Sequence, residues 1–312
     1  MNKTLHVGLD VGSTTVKIIV MDENQNTIYK DYQRHFSDTK NTVCNVLEKL
    51  NKDYPNSQFT ISLTGSGAMS AANFLNLPFL QEVVSCKKAV EKYIPQTDVV
   101  IELGGEDAKI IYFDKFIEQR MNGTCAGGTG AFIDQMASLL DTDASGLNEL
   151  AKHYKTIYPI ASRCGVFAKT DIQPLLNEGA AKEDIAVSIF QAVVNQTISG
   201  LACGKPIRGH VAFLGGPLHF LSELRECFIR TLKLDEEHTI IPQFSHLFAA
   251  SGSALLSKKE KAVSAEEMIK RLQSKIQIAF EVQRLDPLFH DQKEFDEFSE
   301  RHAQAKVVKK DL

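Results

Sequence analysis

GLDVGSTTVKIIV (residues 8–20) returns 92 positions later as VIELGGEDAKIIY (residues 100–112). Both copies read as two apolar strands joined through a tight turn, and a polar turn after the first copy leads into a third strand. The pattern predicts two halves of similar topology, each with a carboxylate and a glycine turn at the end of a strand. The aligned residues are Asp10 and Glu102, Gly12 and Gly104, Lys17 and Lys109, Ile18 and Ile110, and Ile19 and Ile111.

The rest of the chain alternates strand-like and helix-like segments. Residues 42–54 and 69–77 have helical patterns and flank a predicted strand at 59–67. In residues 123–201 many apolar residues recur at helical spacing. Residues 211–232 have the pattern of a strand, a glycine turn and a helix. This alternation predicts an α/β protein.

Length and composition allow a full hydrophobic core. The chain has 312 residues, of which 43% are hydrophobic, enough for one large or two moderate domains. We expect a first lobe at 1–95 and a second lobe at 96–257, whose last helix packs back on the first. Residues 258–312 are expected to form a charged helical extension or linker.

Charge, hydropathy and cysteine spacing narrow the class of protein. A net charge of −4 gives no electrostatic reason for a nucleic-acid or anionic-membrane partner. No apolar run approaches the roughly 20 residues of a membrane helix, and the N-terminus lacks a signal-peptide core, so we expect a cytoplasmic protein. Six widely spread cysteines indicate reduced thiols or metal ligands rather than a disulfide framework.

Two strand-end acids, Asp10 and Glu102, are each followed by a glycine turn. Magnesium prefers a few carboxylates or their bound waters together with phosphate oxygens, and glycine turns bring backbone N–H groups close to phosphate. A polyphosphate with its magnesium would fit between the halves, with Glu106 and Asp107 orienting a water at the terminal phosphate. A single copy is more simply interpreted as a plain turn. Two copies plus a third glycine turn at 215–216 favour the phosphate site.

Hydroxyl groups and backbone N–H groups supply the rest of the predicted nucleotide site. Residues 13–15 add hydroxyl donors, and the glycines at 215–216 would let a nucleoside lie flat against the backbone. The glycines that follow residue 126 would face the nucleotide from the other side. The nucleotide-binding candidates are Gly12, Ser13, Thr14, Thr15, Lys17, Gly104, Gly105, Gly127, Gly128, Thr129, Gly130, Gly215 and Gly216.

Several of these motifs resemble those of a known ATPase superfamily. GLDVGSTTVKIIV, IELGGEDAKII and VAFLGGP resemble the phosphate-1, phosphate-2 and adenosine motifs of the actin, Hsp70 and sugar-kinase superfamily. NGTCAGGTGAF (122–132) with ASRCGVFA (161–168) is similar to the ATPase activators of 2-hydroxyacyl-CoA dehydratases, in the BadF/BadG/BcrA/BcrD ATPase family. The resemblance covers about residues 5–256. It implies two duplicated ribonuclease-H-like lobes with a nucleotide cleft between them.

The resemblance also implies an activity, an ATPase coupled to one-electron transfer. It implies a homodimer that binds one [4Fe-4S] cluster between its subunits and uses ATP or ADP with Mg²⁺. The implied partner is an iron–sulfur dehydratase or reductase that receives single electrons at low potential. The implied donor is a ferredoxin- or flavodoxin-like protein.

The chain departs from the family pattern in three places. Glu102 stands where many superfamily members have aspartate, and Glu106 stands where activators commonly have glutamine. Both keep oxygen ligands, so ATP binding is expected and the rate of hydrolysis is left open. The tail beyond about Lys258 is longer than an activator needs and resembles the connector of longer, multi-module members. One hypothesis is therefore that the chain is the N-terminal module of a longer protein.

The cysteine pattern predicts a shared metal centre. A four-iron cluster generally takes four thiolates, and this chain has no C-x₂-C run. Cys125 precedes a glycine-rich helix start and Cys164 precedes a glycine, so the two would supply four ligands only across a two-fold axis. A thiolate at a helix N-terminus is stabilised by unpaired N–H groups and the positive end of the dipole.

A competing interpretation is that these thiols are small buried hydrophobes, the commonest fate of a free cysteine. We prefer that interpretation for the cysteines in helical or apolar patterns, which are Cys44, Cys86, Cys203 and Cys227.

Two alternatives concern the helix that follows Cys164. It begins at Gly165 and kinks before Pro174, or it begins with a capping box at residues 170–173.

Two other functions compete with the activator. A small-molecule kinase on the same fold would need a base, for which Asp134 or Asp171 is available, but it leaves Cys125 and Cys164 without a role. A nucleotide-gated interaction module predicts assembly changes with ATP and no iron.

Overall fold

The computed structural model describes residues 4–122, 127–162, 164–273 and 286–305 of the chain. The strands are β1 (Thr4–Val11), β2 (Thr15–Met21), β3 (Thr27–Arg34), β4 (Gln58–Thr64), β5 (Val99–Leu103), β6 (Ala108–Phe113), β7 (Ile117–Met121), β8 (Val211–Leu214) and β9 (Thr239–Ile240). The helices are α1 (Thr39–Asp53), α2 (Ala68–Leu75), α3 (Glu82–Tyr93), α4 (Gly130–Ser138), α5 (Ala144–Ala151), α6 (Gly165–Asn177), α7 (Lys182–Thr197), α8 (Gly216–Phe220), α9 (Ser222–Leu232), α10 (Phe248–Ser257), α11 (Ala265–Gln273) and α12 (Gln292–Ala303).

The two sheets repeat one topology. Their strand orders are β3-β2-β1-β4 and β7-β6-β5-β8-β9. In each sheet three consecutive strands form an antiparallel meander, and the first of them pairs in parallel with a later strand. The register is also repeated, since Asp10 lies opposite Lys17 and Glu102 lies opposite Lys109. The internal repeat predicted from the sequence is therefore confirmed.

Helices cover both faces of both sheets, as expected where sheets are buried on two sides. Helices α1, α2 and α11 form one core with the outer face of the first sheet, and helices α4 to α9 form another with the outer face of the second.

Helices α3 and α10 lie in the middle layer. Ala89 of α3 packs with Val100 of the second sheet, while Ala254 of α10 packs with Ile19 of the first. Helix α3 thus packs on the sheet that follows it in the chain, whereas α10 follows the second sheet and packs back on the first. The division of the lobes at residues 95 and 257 stays a prediction.

Helix α7 is the central helix of the second lobe. Together with the π-helical turn that follows it, it forms a stretch, Lys182–Ala202, that is long and apolar enough to cross a membrane by length and composition alone. The expectation that no apolar run approaches that length is therefore wrong for these residues. Most of the stretch is buried inside the fold, and core helices commonly pass the same test.

Helix α6 begins directly after Cys164 and contains Pro174. The Thr170 hydroxyl donates to the Val166 carbonyl at 2.8 Å, within the helix. It therefore does not cap a new helix, and the alternative start at residues 170–173 is wrong.

The chain divides into two compact units, Met1–Ser274 and Lys275–Leu312. Within the first, Met268 of α11 is buried in the core of the first lobe. Within the second, every residue of α12 is exposed, and Asp291 caps the helix by accepting the Glu294 N–H at 2.9 Å.

Candidate functional site

A cleft lies between the two sheets at the ends of β1, β5 and β8. It contains about 860 Å³ of space, part of it open to solvent. Ligands in open α/β folds commonly bind beyond the carboxyl ends of strands. The cleft is therefore the candidate functional site.

Most of the predicted site residues line this cleft. Asp10 lies behind Lys17, with its carboxylate bonded to the ammonium group, and Glu106 is exposed. Gly127, Gly128 and Thr129 precede α4, and Gly128 faces Gln196 of α7. The cleft-lining members of the predicted set are Gly12, Ser13, Thr14, Thr15, Lys17, Glu102, Gly104, Gly105, Asp107, Gly130, Gly215 and Gly216.

The first two glycine turns have the same backbone geometry. The Gly12 N–H donates to the Thr15 carbonyl at 2.8 Å, and the Gly104 N–H donates to the Asp107 carbonyl at 2.8 Å. The sequence repeat therefore extends to the hydrogen bonds of the turns. Each lobe therefore lines the cleft with a turn that is closed by its own backbone hydrogen bond.

The turns also approach one another and the neighbouring strands closely. A Cβ on Gly105 would lie 2.2 Å from Oγ1 of Thr14, so the turns of the two lobes are in contact. Gly215 has a φ of +90°, and a Cβ there would lie 2.1 Å from the Leu103 carbonyl oxygen. Only glycine fits at this third turn, for both reasons.

The first turn has a buried ion pair behind it. Nζ of Lys17 donates to Oδ2 of Asp10 at 2.7 Å, and the Asp10 side chain is 1% exposed. Burial alone would lower the pKa of Lys17, but Asp10 raises it well above its ordinary value. The other Asp10 oxygen, Oδ1, is buried and accepts no hydrogen bond from the part of the chain that the structure describes.

The second turn has a larger charged cluster behind it. Nζ of Lys109 bonds Oε2 of Glu82 at 2.9 Å and Oδ2 of Asp107 at 2.7 Å. Glu102 is buried beside them, and its Oε2 accepts no hydrogen bond from any residue within 4–122, 127–162, 164–273 or 286–305. Burial, and then repulsion from Glu102, raises the pKa of Glu82 to about 7. Burial likewise raises the pKa of Glu102, against the opposing effect of Lys109.

This arrangement suits a hard divalent cation with bound phosphate. Carboxylates outnumber ammonium groups, and two buried carboxylate oxygens, on Asp10 and Glu102, have no hydrogen-bond partner among the described residues. Within the described parts of the chain, no three Asp, Glu, His or Cys side chains could hold a metal by themselves. A cation here would need phosphate and water oxygens as well, as Mg²⁺ commonly does.

Helix α4 is bonded directly to the second turn. The Gly130 N–H donates to the Gly104 carbonyl at 3.0 Å, and the Ala131 N–H donates to the Gly105 carbonyl at 2.7 Å. The first amides of α4 are therefore hydrogen-bonded to a turn that lines the cleft.

The same helix also contacts the start of α6. A Cβ on Gly165 would lie 2.9 Å from Oε1 of Gln135, a side chain of α4. Cys164, the residue before Gly165, is half-buried and occupies the N-cap position of α6. Cys125 lies outside the described residues.

The remaining cysteines fall into different environments. Cys86 and Cys227 are buried, and burial raises the pKa of both thiols, that of Cys227 to about 11. Cys44 is half-buried. The expectation of a buried thiol is wrong for Cys203, which is exposed because it ends the π-helical turn in a left-handed conformation with φ of +44°.

Sequence reasoning missed several side chains of the cleft, among them Tyr32, Arg34, Glu82 and Phe220. No motif marks Glu82 or Phe220. Tyr32 and Arg34 are two positions apart on β3, which places both on one face of the strand. That spacing was the available signal.

The two acids considered for a kinase base lie in different places. Asp134 lines the cleft and bonds Arg34, with 2.7 Å between Oδ2 and Nη2. Asp171 accepts the Ala161 N–H at 2.7 Å, and it is not among the described residues that line the cleft.

Known proteins share both sequence and fold with this chain. A 2-hydroxyisocaproyl-CoA dehydratase activator of Clostridioides difficile is 29% identical over 269 residues, covering 84% of this chain and 98% of the relative. An (R)-2-hydroxyglutaryl-CoA dehydratase activating ATPase of Acidaminococcus fermentans is 31% identical over 216 residues, covering 67% of this chain and 82% of the relative.

A solved structure gives the same picture. The activator of the 2-hydroxyisocaproyl-CoA dehydratase from Clostridium difficile, with bound ADPNP, has a TM-score of 0.71 and 26% identity. The match covers 88% of this chain and 98% of that one. The sequence model of the BadF/BadG/BcrA/BcrD ATPase family matches residues 7–257 of this chain. The chain therefore belongs to the BadF/BadG/BcrA/BcrD ATPase family and has the two-lobed fold of the actin, Hsp70 and sugar-kinase superfamily.

Proposed function

We propose that the protein is an ATP-dependent activator that delivers single low-potential electrons to an iron–sulfur enzyme of the 2-hydroxyacyl-CoA dehydratase type. One observation carries the proposal. Helix α4 begins on the carbonyls of the second glycine turn and packs against the residue that follows Cys164. The names of the relatives, activators of such dehydratases, support the choice of partner.

In this proposal the cleft holds ATP or ADP with Mg²⁺. The turns at 12–15 and 104–107 bind the phosphates through backbone N–H groups. The unpartnered oxygens of Asp10 and Glu102 fit the cation, directly or through its waters. The turn at 215–216 holds the nucleoside. Glu106 and Asp107 orient the attacking water.

Cys125 and Cys164 of two subunits would hold a [4Fe-4S] cluster, which supplies one-electron chemistry when bound. The surroundings of Cys164 fit a shared site, because its thiol lies at a helix N-terminus. Val166 and Phe167, in the first turn of α6, are 72% and 64% exposed. Such an apolar surface suits the two-fold mate that four thiolates require.

The test is iron and acid-labile sulfide per dimer in anaerobically purified protein. We expect about four irons, lost in Cys125→Ser and in Cys164→Ser because each removes two of four ligands. Cys203→Ser, which removes an exposed thiol, should keep the full content. Full iron in either ligand variant, or an iron-free wild-type dimer that phosphorylates a small molecule, would contradict the proposal.

A further inference from the structure

The cleft has few cations that a ligand can reach. Among the described residues that line it, the positively charged side chains are Lys17 and Arg34. The Lys17 side chain is 14% exposed and is held by Asp10, whereas the Arg34 side chain is 51% exposed. Arg34 is therefore the cation that an incoming phosphate meets.

Arg34 joins the two lobes across the cleft. It ends β3 of the first sheet, and its Nη2 donates to Oδ2 of Asp134 at 2.7 Å. Asp134 lies on α4 of the second lobe and is 41% exposed. Because both partners are half-exposed, the pair contributes little free energy and is open to competition.

The position of Asp134 links the Arg34–Asp134 pair to the start of α4. It lies about one turn after Gly130, whose N–H is bonded to the Gly104 carbonyl. The start of α4 is thus bonded to the second glycine turn, and through Asp134 it is also bonded to Arg34 of the first lobe.

We propose that Arg34 is a phosphate ligand that exchanges Asp134 for the outermost phosphate of a bound nucleoside triphosphate, and that this exchange frees α4 from the first lobe. A guanidinium group bonds phosphate through two parallel N–H donors and bonds it more strongly than a neutral donor does. The diphosphate lacks the outermost phosphate, so it leaves the Arg34–Asp134 pair in place. The inference rests on the proposed nucleotide binding and adds a residue that discriminates triphosphate from diphosphate.

The test is a double-mutant cycle on binding of Mg²⁺ with a non-hydrolysable ATP analogue and with ADP. Arg34→Gln should weaken the triphosphate analogue roughly tenfold, the effect of losing a hydrogen bond to a charged group, and should change ADP binding less than about threefold. Asp134→Asn should tighten the triphosphate analogue by up to about fivefold, because Arg34 no longer has to leave a carboxylate.

The double variant separates competition from a simple charge effect. In the Arg34→Gln background, Asp134→Asn should give no gain in affinity. Lys49→Gln is the matched control, since Lys49 is also 51% exposed, pairs with Asp31 and belongs to the first lobe. It should leave both affinities unchanged.

Three results would overturn the inference. An equal gain from Asp134→Asn in both backgrounds would mean a general charge effect. An equal loss of ADP and triphosphate binding in Arg34→Gln would remove the discrimination. Failure of the wild type to bind any nucleotide would overturn both proposals. Nucleotide binding with this pattern in an iron-free protein would support the inference and contradict only the electron-transfer function.

Discussion

Gly215 shows how one residue determines the shape of the cleft. Its φ of +90° and its closeness to the Leu103 carbonyl bring the end of β8 against the end of β5. Gly179 has a similar φ of +80°, but a Cβ there would meet nothing within 4 Å. A side chain at Gly179 would meet backbone strain alone, whereas one at Gly215 would meet both backbone strain and a steric clash.

We expect Gly215→Ala to destabilise the protein much more than Gly179→Ala. The control should cost about 1 kcal/mol, the strain of a left-handed residue. Gly215→Ala adds a backbone clash and should cost about 2 kcal/mol more. Urea unfolding of the two variants measures the difference. Equal costs would mean that β8 moves freely away from β5.

His246 lies in an aromatic contact between the lobes. Its ring centroid is 5.4 Å from that of Tyr32 on β3 and 3.9 Å from that of His219. Burial, with further contributions from His219, Lys17 and Lys30, lowers the pKa of His246 to about 3. The folded protein therefore excludes a proton that the unfolded chain binds below about pH 6.5.

The free energy of unfolding is therefore unaffected by protonation of His246 above pH 6.5. It falls as the pH drops from 6.5 towards 3, because only the unfolded chain gains the proton. The wild type should lose about 1–2 kcal/mol between pH 7 and pH 5 that His246→Phe does not lose. Urea unfolding at several pH values measures the two slopes. His153→Gln, which removes an exposed imidazole, should keep the wild-type slope. An unchanged slope in His246→Phe would contradict the assignment.

The glycine turns are the elements on which the site is built. Much of this level was predictable, because the offset of 92 positions marks Asp10 and Glu102 in equivalent places. The partner of Lys109 was not predictable, since Glu82 reaches it only through the packing of α3 between the sheets. The pairing of Arg34 was not predictable either, because its partner Asp134 lies 100 positions away and meets it only in the folded protein.

Contact between the first and second turns can be tested by restoring the lost space. Gly105→Ala should destabilise the protein by about 1–3 kcal/mol, because the new methyl group meets Oγ1 and Cγ2 of Thr14. Adding Thr14→Ala removes both atoms and should recover much of that loss. Thermal or urea unfolding of the single and double variants gives the coupling. Strict additivity would mean that the turns are not in contact.

At the scale of the whole molecule, the proposed function needs a large movement. Lowering the potential of an electron by about 300 mV corresponds to roughly 7 kcal/mol. A single hydrogen bond contributes about 1 kcal/mol net, so a small adjustment near one thiol is insufficient. Closure of the two lobes around the nucleotide is a movement of sufficient size, and α4 is placed to carry it towards α6.

Amide hydrogen exchange tests this coupling most directly. The protein is compared with Mg²⁺ and ADP, and with Mg²⁺ and a non-hydrolysable ATP analogue. We predict that the triphosphate, more than ADP, changes exchange in α4 and at the start of α6, because the Gly130 and Ala131 amides are bonded to the second turn. Helix α1, on the outer face of the first lobe, serves as the internal control. Identical exchange in α4 with the two nucleotides would contradict the account.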